Sequence, residues 1–208
     1  MEQYINKIIN ADCMDILKQL PDKCIDLVLT DPPYGIGMDG GNVGYKGFNN
    51  FKQKNWDDKI PSENVFSEIF RVSKNQIIWG GNYFGFKSRC FLVWDKAEGF
   101  YNRSYAEAEL AYTSYDKNTC IFKYDPLANR DYVGKIHPTQ KPLRLFEWCL
   151  NKFSNENDLV LDCFSGSGTT AVACHNLKRR FICIEKDYDY WKASVERLEN
   201  AQAQLRLF

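Results

Sequence analysis

The residues Asp31-Pro32-Pro33-Tyr34 are the stretch of this chain whose types and order could do chemistry. They follow an apolar run at residues 25–30, which is typical of a buried strand. Two consecutive prolines cannot continue a β-ladder, so the chain must turn there. The turn leaves an acid, rigid backbone carbonyls and an aromatic ring at the carboxyl end of a strand, where open α/β sheets bind their ligands.

Such a set suits an aromatic amine, such as the exocyclic NH2 of adenine or cytosine. The lone pair of that nitrogen is delocalised into the ring, which makes the nitrogen a poor nucleophile. Acceptors on its two hydrogens would draw it towards a tetrahedral geometry and stabilise the positive charge that develops there. The Asp31 carboxylate and the Pro32 carbonyl could be those acceptors, and the Tyr34 ring could stack on the base. The alternative is an ordinary strand-to-turn connection, with Asp31 as a turn acid and Tyr34 as a wall residue.

A glycine-rich turn at residues 159–171 is the second motif. A short apolar strand ends at Asp162, the turn contains Gly166 and Gly168, and a helix-like segment follows. Glycines let the backbone pass close to a ligand, and a helix N-terminus offers free N–H groups to an anion. A second strand then ends in Glu185, where an acid can accept hydrogen bonds from the hydroxyls of a ribose.

Two cofactors fit this second motif. The pattern Gly166-x-Gly168-x-x-Ala171 matches the dinucleotide fingerprint, with Glu185 roughly 20 residues further on, so NAD is a competitor. Against NAD stands Asp162, a carboxylate where a pyrophosphate would lie. S-adenosylmethionine carries a sulfonium, an ammonium and only one carboxylate, so an acidic mouth suits it. The phosphate loop of nucleotide hydrolases is not indicated, because no lysine follows Gly168.

Together the motifs pair a methyl-donor site with an amine-activating site, and the chain resembles the amino-group DNA methyltransferases that modify adenine N6 or cytosine N4. The acidic-Pro-Pro-aromatic motif precedes the glycine-rich motif, which is the permuted order of the class called beta. The chain most resembles the small phage-borne and prophage-borne members. The resemblance covers nearly the whole chain, because further family-like segments lie at residues 10–14, 77–84, 106–112 and 137–142.

The resemblance implies a set of residues around S-adenosyl-L-methionine and the target amine. The catalytic residues would be Asp31, Pro32, Pro33 and Tyr34. The cofactor-binding residues would be Asp12, Cys13, Asp31, His137, Thr139, Lys141, Asp162, Phe164, Ser165, Gly166, Ser167, Gly168, Thr169 and Glu185. For Asp12 a helix N-cap is the rival role, and His137 could be a pocket wall or simply the start of a proline turn. No metal ligand set is predicted.

Apolar runs and amphipathic segments alternate along the chain, which predicts an α/β fold with a mostly parallel sheet and helices on both sides. The resemblance implies the Rossmann-like fold of S-adenosylmethionine-dependent methyltransferases, with a circularly permuted motif order. It also implies seven strands, one of them antiparallel. The 208 residues would form a single methyltransferase domain, because a chain of this length supports one core.

Two segments interrupt the alternation. Residues 35–60 are rich in glycine with interleaved aromatics and lysines, which favours a lid over the target base, although an ordinary surface loop is the alternative. Residues 114–136 lie where the family has its target-recognition region, and they form a short variable recognition segment. Either the DNA site read is short, or a homodimer or the lid adds contacts. The predicted nucleic-acid contacts are Tyr45, Lys46, Lys52, Lys54, Lys123 and Arg130.

Composition adds bounds on the partners. The net charge of +0 argues against a strongly basic nucleic-acid binder, so DNA contacts must come from local patches. The eight cysteines include no C-x-x-C pair, which predicts reduced core residues. No apolar stretch reaches the length of a membrane span, and no signal peptide is recognisable, so a cytoplasmic protein of a bacterium or a phage-infected host is expected.

The sequence therefore predicts a site-specific DNA adenine N6-methyltransferase that uses S-adenosyl-L-methionine. The target base must leave the duplex to reach the pocket. In the family, D-P-P-Y favours adenine and S-P-P-Y favours cytosine, so cytosine N4 is the first alternative. An RNA methyltransferase, an inactive cofactor-binding DNA-binding module and a dehydrogenase are further alternatives.

Overall fold

Eight strands form one sheet in the computed structural model of the chain, which describes residues 1–40 and 51–205. The strands are β1 Lys7–Asn10, β2 Ile25–Thr30, β3 Ser73–Trp79, β4 Phe91–Asp95, β5 Ala108–Thr113, β6 Cys120–Lys123, β7 Leu159–Asp162 and β8 Arg180–Glu185. The helices are α1 Cys13–Leu17, α2 Glu63–Val72, α3 Leu143–Phe153, α4 Thr169–Asn176 and α5 Tyr188–Leu205.

The strand order is what brings the two motifs together. The order across the sheet is β1-β8-β7-β2-β3-β5-β4-β6, and β5 runs antiparallel to both of its neighbours. β2 and β7 are parallel neighbours with Leu27 opposite Val160 and Val28 opposite Leu161. Their carboxyl ends therefore meet at one edge, so Asp31 after β2 and Asp162 at the end of β7 open onto the same region.

The sheet of the described residues has one strand more than the predicted seven. The additional strand is β6, which lies in the segment predicted for target recognition and pairs in parallel with β4 at the edge of the sheet. Cys120 and Phe122 of β6 are half-buried, whereas Ile121 is 67 % exposed. Part of the segment predicted for target recognition is thus built into the sheet.

Helices cover both faces of the sheet, as the alternating pattern predicts. α1 and α2 pack on one face, where Leu17, Val65 and Ile69 join a cluster with Ile25 and Val28 of β2. α3, α4 and α5 contribute Leu150, Ala173 and Leu198 to the cluster on the other face. Fully burying an aliphatic side chain such as Ile69 contributes roughly 1.5–3 kcal/mol. Within residues 1–40 and 51–205, no helix is long and apolar enough to cross a membrane.

Most of the cysteines lie in the core, as the sequence predicts. All eight are free thiols. Six of them are buried: Cys13, Cys90, Cys149, Cys163, Cys174 and Cys183. They pack as small apolar side chains in the two core clusters.

Candidate active site

A single cavity of about 1090 Å³ contains both motifs. Its wall includes Asp31 and Tyr34 from the first motif, and Gly166 and Glu185 from the glycine-rich motif and the strand after it. It extends along the sheet to Glu109 on β5. A ligand held by Glu185 and a ligand held by Asp31 would therefore share one space.

An aspartate that the sequence did not reveal fixes the turn after the two prolines. Asp57 Oδ1 accepts hydrogen bonds from the backbone N–H groups of Tyr34 at 2.7 Å and Gly35 at 2.9 Å. Asp57 Oδ2 accepts from the N–H of Met38 at 2.8 Å. One buried carboxylate thus satisfies three N–H groups of a turn that makes no β-ladder.

Tyr34 is held by both its hydroxyl and its ring. The hydroxyl donates to Asp31 Oδ1 at 2.5 Å. The ring stacks on Tyr83, with centroids 4.8 Å apart and planes 13° from parallel. Gly80 lies so close that a Cβ there would be 2.1 Å from the Tyr34 ring. Tyr83 therefore covers part of the aromatic face that the sequence assigns to a stacked base.

Asp31, the predicted catalytic acid, lies in a network of buried charges. Lys141 Nζ donates to Asp31 Oδ2 at 2.6 Å and to Glu109 Oε2 at 3.0 Å. Lys96 Nζ lies 2.7 Å from Glu109 Oε1. Lys141 is expected from the resemblance on the methionine half of the cofactor, whereas its ammonium contacts Asp31 in this structure. Lys96 and Glu109 carry no signal in their local sequence that distinguishes them.

Burial and ion pairing compete in setting the pKa values of this network. Burial raises the pKa of Asp31 although Lys141 opposes the shift. Burial also acts to raise the pKa of Glu109, but Lys141 and Lys96 outweigh it and lower that pKa to about 2. Burial acts to lower the pKa of Lys141, and the Asp31 and Glu109 carboxylates overcome it and raise the pKa. Glu109 and Lys141 are therefore charged at neutral pH.

Glu185 is presented by the backbone of the glycine-rich turn. Its Oε2 accepts from the N–H of Gly166 at 2.7 Å, and its Oε1 accepts from the N–H of Asp187 at 2.8 Å. Burial raises the pKa of Glu185 to about 7, although the two N–H groups oppose the shift. Each carboxylate oxygen keeps a lone pair for a further donor, such as a ribose hydroxyl.

Asp162 is used inside the protein. Its carboxylate accepts from the hydroxyls of Thr30 at 2.7 Å and Thr170 at 2.5 Å, and from the N–H of Phe164 at 3.1 Å. Burial raises the pKa of Asp162 to about 6, against the effect of these donors. The carboxylate thus ties β2, the glycine-rich turn and α4 together, and it leaves less capacity for a ligand than the sequence suggests.

A side chain of the C-terminal helix α5 donates hydrogen bonds to the glycine-rich turn. Gly168 has φ +72° and caps α4 at its N-terminus. Arg197 of α5 donates to the carbonyl of Ser167 and to the hydroxyl of Thr169, both at 3.0 Å. Ser165 and Phe164 also line the cavity. Arg197 thus links α5 to the turn that is predicted to bind the donor.

His137 forms an uncharged wall beside the turn. Its ring is 4.3 Å from the ring of Tyr190 and 5.0 Å from that of Trp56, measured between centroids. Its Nδ1 is 3.2 Å from the hydroxyl of Thr139. Burial, reinforced by nearby lysines, lowers the pKa of His137 to about 3. The pocket-wall role is the one that this geometry supports.

Asp12 has the N-cap role that rivals cofactor binding. Its Oδ1 accepts from the N–H of Met14 at 3.0 Å, and its Oδ2 pairs with Lys186 at 2.9 Å. Asp12 and its buried neighbour Cys13 also line the cavity. The structure therefore places both at the site, with Asp12 already engaged at the start of α1.

Comparison with known proteins agrees with this geometry. The sequence pattern of the N6 and N4 methylase family, described as "DNA methylase", matches residues 87–196, more than half of the chain. The chain belongs to this DNA methylase family. The type II methyltransferase M.HpaI of Haemophilus parainfluenzae is 26% identical over 93% of this chain and 74% of its own length.

Two solved structures have the same fold as this methylase. The M1.HpyAVI-SAM complex is 26% identical, with a TM-score of 0.60 over 92% of this chain and 99% of that one. The cytosine-N4-specific PvuII DNA methyltransferase is 18% identical, with a TM-score of 0.62 over 95% of this chain and 91% of that one. The expected Rossmann-like methyltransferase fold is confirmed, and the motif order is that of the beta class.

The predicted nucleic-acid contacts of the methylase are scattered. Tyr45 and Lys46 lie outside the described residues, and Lys52 is exposed. Lys54 Nζ forms ion pairs with Asp187 and Asp189, which follow β8, and both distances are 2.8 Å. These two carboxylates neutralise the charge of Lys54. This placement does not support a phosphate contact for Lys54.

The remaining two predicted contacts lie in residues 114–136, the predicted recognition segment. Lys123 pairs with the exposed Glu98 at 2.6 Å. Arg130 is exposed in a turn, where its φ is +60°. Neither residue lines the cavity, so any contact of theirs with DNA would be outside the base pocket.

Proposed function

We propose that this methylase transfers a methyl group from S-adenosyl-L-methionine to N6 of adenine in DNA. The observation that carries the proposal is the single cavity shared by Asp31 and Glu185. A donor site and an amine site that open into one space allow direct transfer without a covalent enzyme intermediate. The alternative of a dehydrogenase does not account for an amine-activating acid beside the donor site.

The residues of the second motif fit S-adenosyl-L-methionine. Glu185 presents a carboxylate with free lone pairs for the ribose hydroxyls. The turn at Gly166 and the N-terminus of α4 offer N–H groups to the donor's carboxylate. When bound, S-adenosyl-L-methionine supplies an electrophilic methyl group on a sulfonium. The surrounding carboxylates suit that positive charge better than they would suit a pyrophosphate.

The first motif prepares the amine. Asp31 and the Pro32 carbonyl accept the two amine hydrogens, which stabilises the positive charge that grows on the nitrogen. A raised pKa makes Asp31 a better acceptor for the proton that the methylated nitrogen loses. Only 15 % of the Asp31 side chain is exposed, so the base has to leave the duplex to reach it.

Adenine is the proposed base because the motif reads D-P-P-Y, which favours adenine in the family that the chain resembles. Cytosine N4 is the second candidate, since the fold is shared with a cytosine-N4-specific enzyme. Both bases present an amine next to an acceptor ring nitrogen, so Asp31 could serve either.

The deciding experiment is incubation with labelled S-adenosyl-L-methionine and DNA of mixed sequence, followed by nucleoside analysis. We expect N6-methyladenine. N4-methylcytosine alone would change the base and leave the mechanism standing. Asp31→Ala should lower the transfer rate about 10²–10³-fold, because one preorganised partner of the developing charge is removed. Its affinity for S-adenosyl-L-methionine should stay within a few-fold, and near-wild-type turnover of Asp31→Ala would refute the mechanism.

A further inference from the structure

The charge network around Asp31 contains more ionic groups than the methyl transfer requires. Two carboxylates and two ammonium groups, from Asp31, Lys96, Glu109 and Lys141, form a continuous chain of ion pairs. The Lys96 and Lys141 residues are each 7 % exposed, and the Glu109 side chain is 19 % exposed. Withdrawing charges from water is costly even when they are paired, and such clusters add little stability. Stability therefore does not account for the second pair, Glu109 and Lys96.

Both carboxylate oxygens of Asp31 already accept hydrogen bonds in this arrangement. Tyr34 donates to its Oδ1, and Lys141 donates to its Oδ2 at 2.6 Å. A target amine must compete with the Lys141 ammonium for the same carboxylate. An ammonium bound to Asp31 alone would weaken that carboxylate as an acceptor, because an opposite charge favours the ionised, less basic form.

Glu109 divides the charge of Lys141. The ammonium lies between the two carboxylates, 2.6 Å from Asp31 Oδ2 and 3.0 Å from Glu109 Oε2. Lys96 neutralises the other oxygen of Glu109, which keeps this second carboxylate ionised. Glu109 can thus draw part of the ammonium's charge away from Asp31 without being protonated.

We propose that Glu109 is a positioning residue that acts through Lys141 and keeps Asp31 available as an acceptor for the target amine. The proposal rests on the function proposed above, and it assigns to β5 a part in the reaction that neither motif contains. Glu109 itself need not touch the amine.

The charged and titratable groups that face Asp31 and Glu109 come from several elements. Asp31 is faced by Tyr34, Lys141, Glu109 and, from β7, Asp162. Glu109 is faced by Lys96, Lys135, Lys141 and Tyr34. The Glu109 charge acts to raise the pKa of Asp31, in addition to the larger effect of burial. Removing that charge should therefore lower the pKa of Asp31.

Glu109→Gln is the first test, because it removes the charge and keeps the shape. We expect single-turnover methylation to fall about tenfold, because acceptor strength follows the basicity of Asp31. The acid limb of its pH profile should move to lower pH. Glu107→Gln, an exposed position two residues earlier, is the matched control and should behave like the wild type.

Two double variants with the same number of buried charges test the route through Lys141. Lys96→Met with Glu109→Gln leaves Lys141 on Asp31 alone, whereas Lys141→Met with Glu109→Gln leaves Asp31 without a lysine. The pKa of Asp31, measured by carbon NMR in the protein without DNA, should be lower in the first than in the second, and lower in the first than in the wild type. Both variants keep a balanced buried charge, which protects folding.

Equal pKa values of Asp31 in the two double variants would overturn the proposal. Wild-type turnover and an unmoved acid limb in Glu109→Gln would also overturn it. The NMR titration does not depend on methyl transfer. If the wild type methylated no DNA amine, the proposed function would fail while the titration still reported whether Glu109 acts on Asp31.

Discussion

The Tyr34 hydroxyl has a partner that a stacking role does not require. From the sequence, only the face of the ring has a predicted use, so Tyr34→Phe would keep most activity. In the structure the hydroxyl holds Asp31 Oδ1 while Lys141 holds the other oxygen. Tyr34 therefore influences the pKa of Asp31 as well as the shape of the pocket.

Tyr34→Phe should move the acid limb of the turnover profile to higher pH. Burial is the largest influence raising the pKa of Asp31, and the Tyr34 hydroxyl opposes it. Removing the hydroxyl removes this opposition, so the pKa rises and Asp31 ionises later as the pH increases. This direction is opposite to that expected for Glu109→Gln. Rates measured across the acid range with saturating DNA and donor would show it, and an unmoved limb would contradict it.

Glu185 should make donor binding depend on pH near neutrality. Its pKa of about 7 means that the carboxylate gains a proton as the pH falls through that value, and its affinity for ribose hydroxyls weakens. Calorimetry with S-adenosyl-L-methionine should show this loss in the wild type and a flatter profile in Glu185→Gln. Glu185→Ala should weaken binding by about 1.5–3 kcal/mol, as expected for hydrogen bonds to a charged group.

Asp162 is the control for that experiment, because its pKa of about 6 lies close by. Asp162→Asn should leave the pH dependence near 7 in place. If Glu185→Ala bound the donor as tightly as the wild type, Glu185 would have no place in the site.

At the scale of elements, the turn after β3 decides where the Tyr34 ring can lie. Gly80 has φ +73°, and a Cβ there would be 2.1 Å from the ring. Gly85 has nearly the same φ, +70°, and a Cβ there would meet nothing within 4 Å. A substitution at either glycine would strain the backbone to a similar degree. Only at Gly80 would the added Cβ also clash with a neighbouring side chain.

Gly80→Ala should therefore cost activity that Gly85→Ala keeps. Each substitution adds left-handed strain of about 1–2 kcal/mol, which thermal unfolding would record for both. Only Gly80→Ala displaces the Tyr34 ring, so its turnover should fall because the predicted stacking face is moved. Equal turnover in the two folded variants would mean that the ring tolerates the displacement.

The elements also show which parts of the site a sequence can predict. β2, β7 and β8 are apolar runs that lead directly into Asp31, Asp162 and Glu185, so the sequence predicts these three strands and the place where the three acids lie. β6 has only four residues, and it is defined by its pairing with β4. The equally short β7 is buried at all four positions and leads into a motif, whereas β6 alternates half-buried and exposed residues and leads into none, so its sequence does not mark it as a strand.

The network of Glu109 was hidden for a related reason. Its partners Lys96 and Lys141 precede and follow it in the chain by 13 and 32 residues, and the fold alone brings them together. Asp57, which fixes the turn at Tyr34, is equally remote from the motif. Local sequence patterns therefore locate candidate ligand-binding residues more readily than the residues that position those side chains.

At the scale of the whole molecule, charge limits how DNA can be held. The chain carries 27 basic and 27 acidic residues. Two of the predicted phosphate contacts, Lys54 and Lys123, are engaged by carboxylates. Because the chain has no net positive charge and these two lysines are paired, we expect more of the affinity for DNA to come from the flipped base and its pocket.

The salt dependence of DNA binding should accordingly be shallow. Each phosphate contact contributes about −0.9 to the slope of log K against log salt, and we expect a slope no steeper than about −4. Fluorescence anisotropy with a labelled duplex between about 50 and 200 mM KCl measures it. Lys54→Ala should leave the slope unchanged, because Asp187 and Asp189 already neutralise its charge. A slope steeper than about −6, or one that falls in Lys54→Ala, would show that phosphate contacts dominate and that the ion pairs of Lys54 open on DNA.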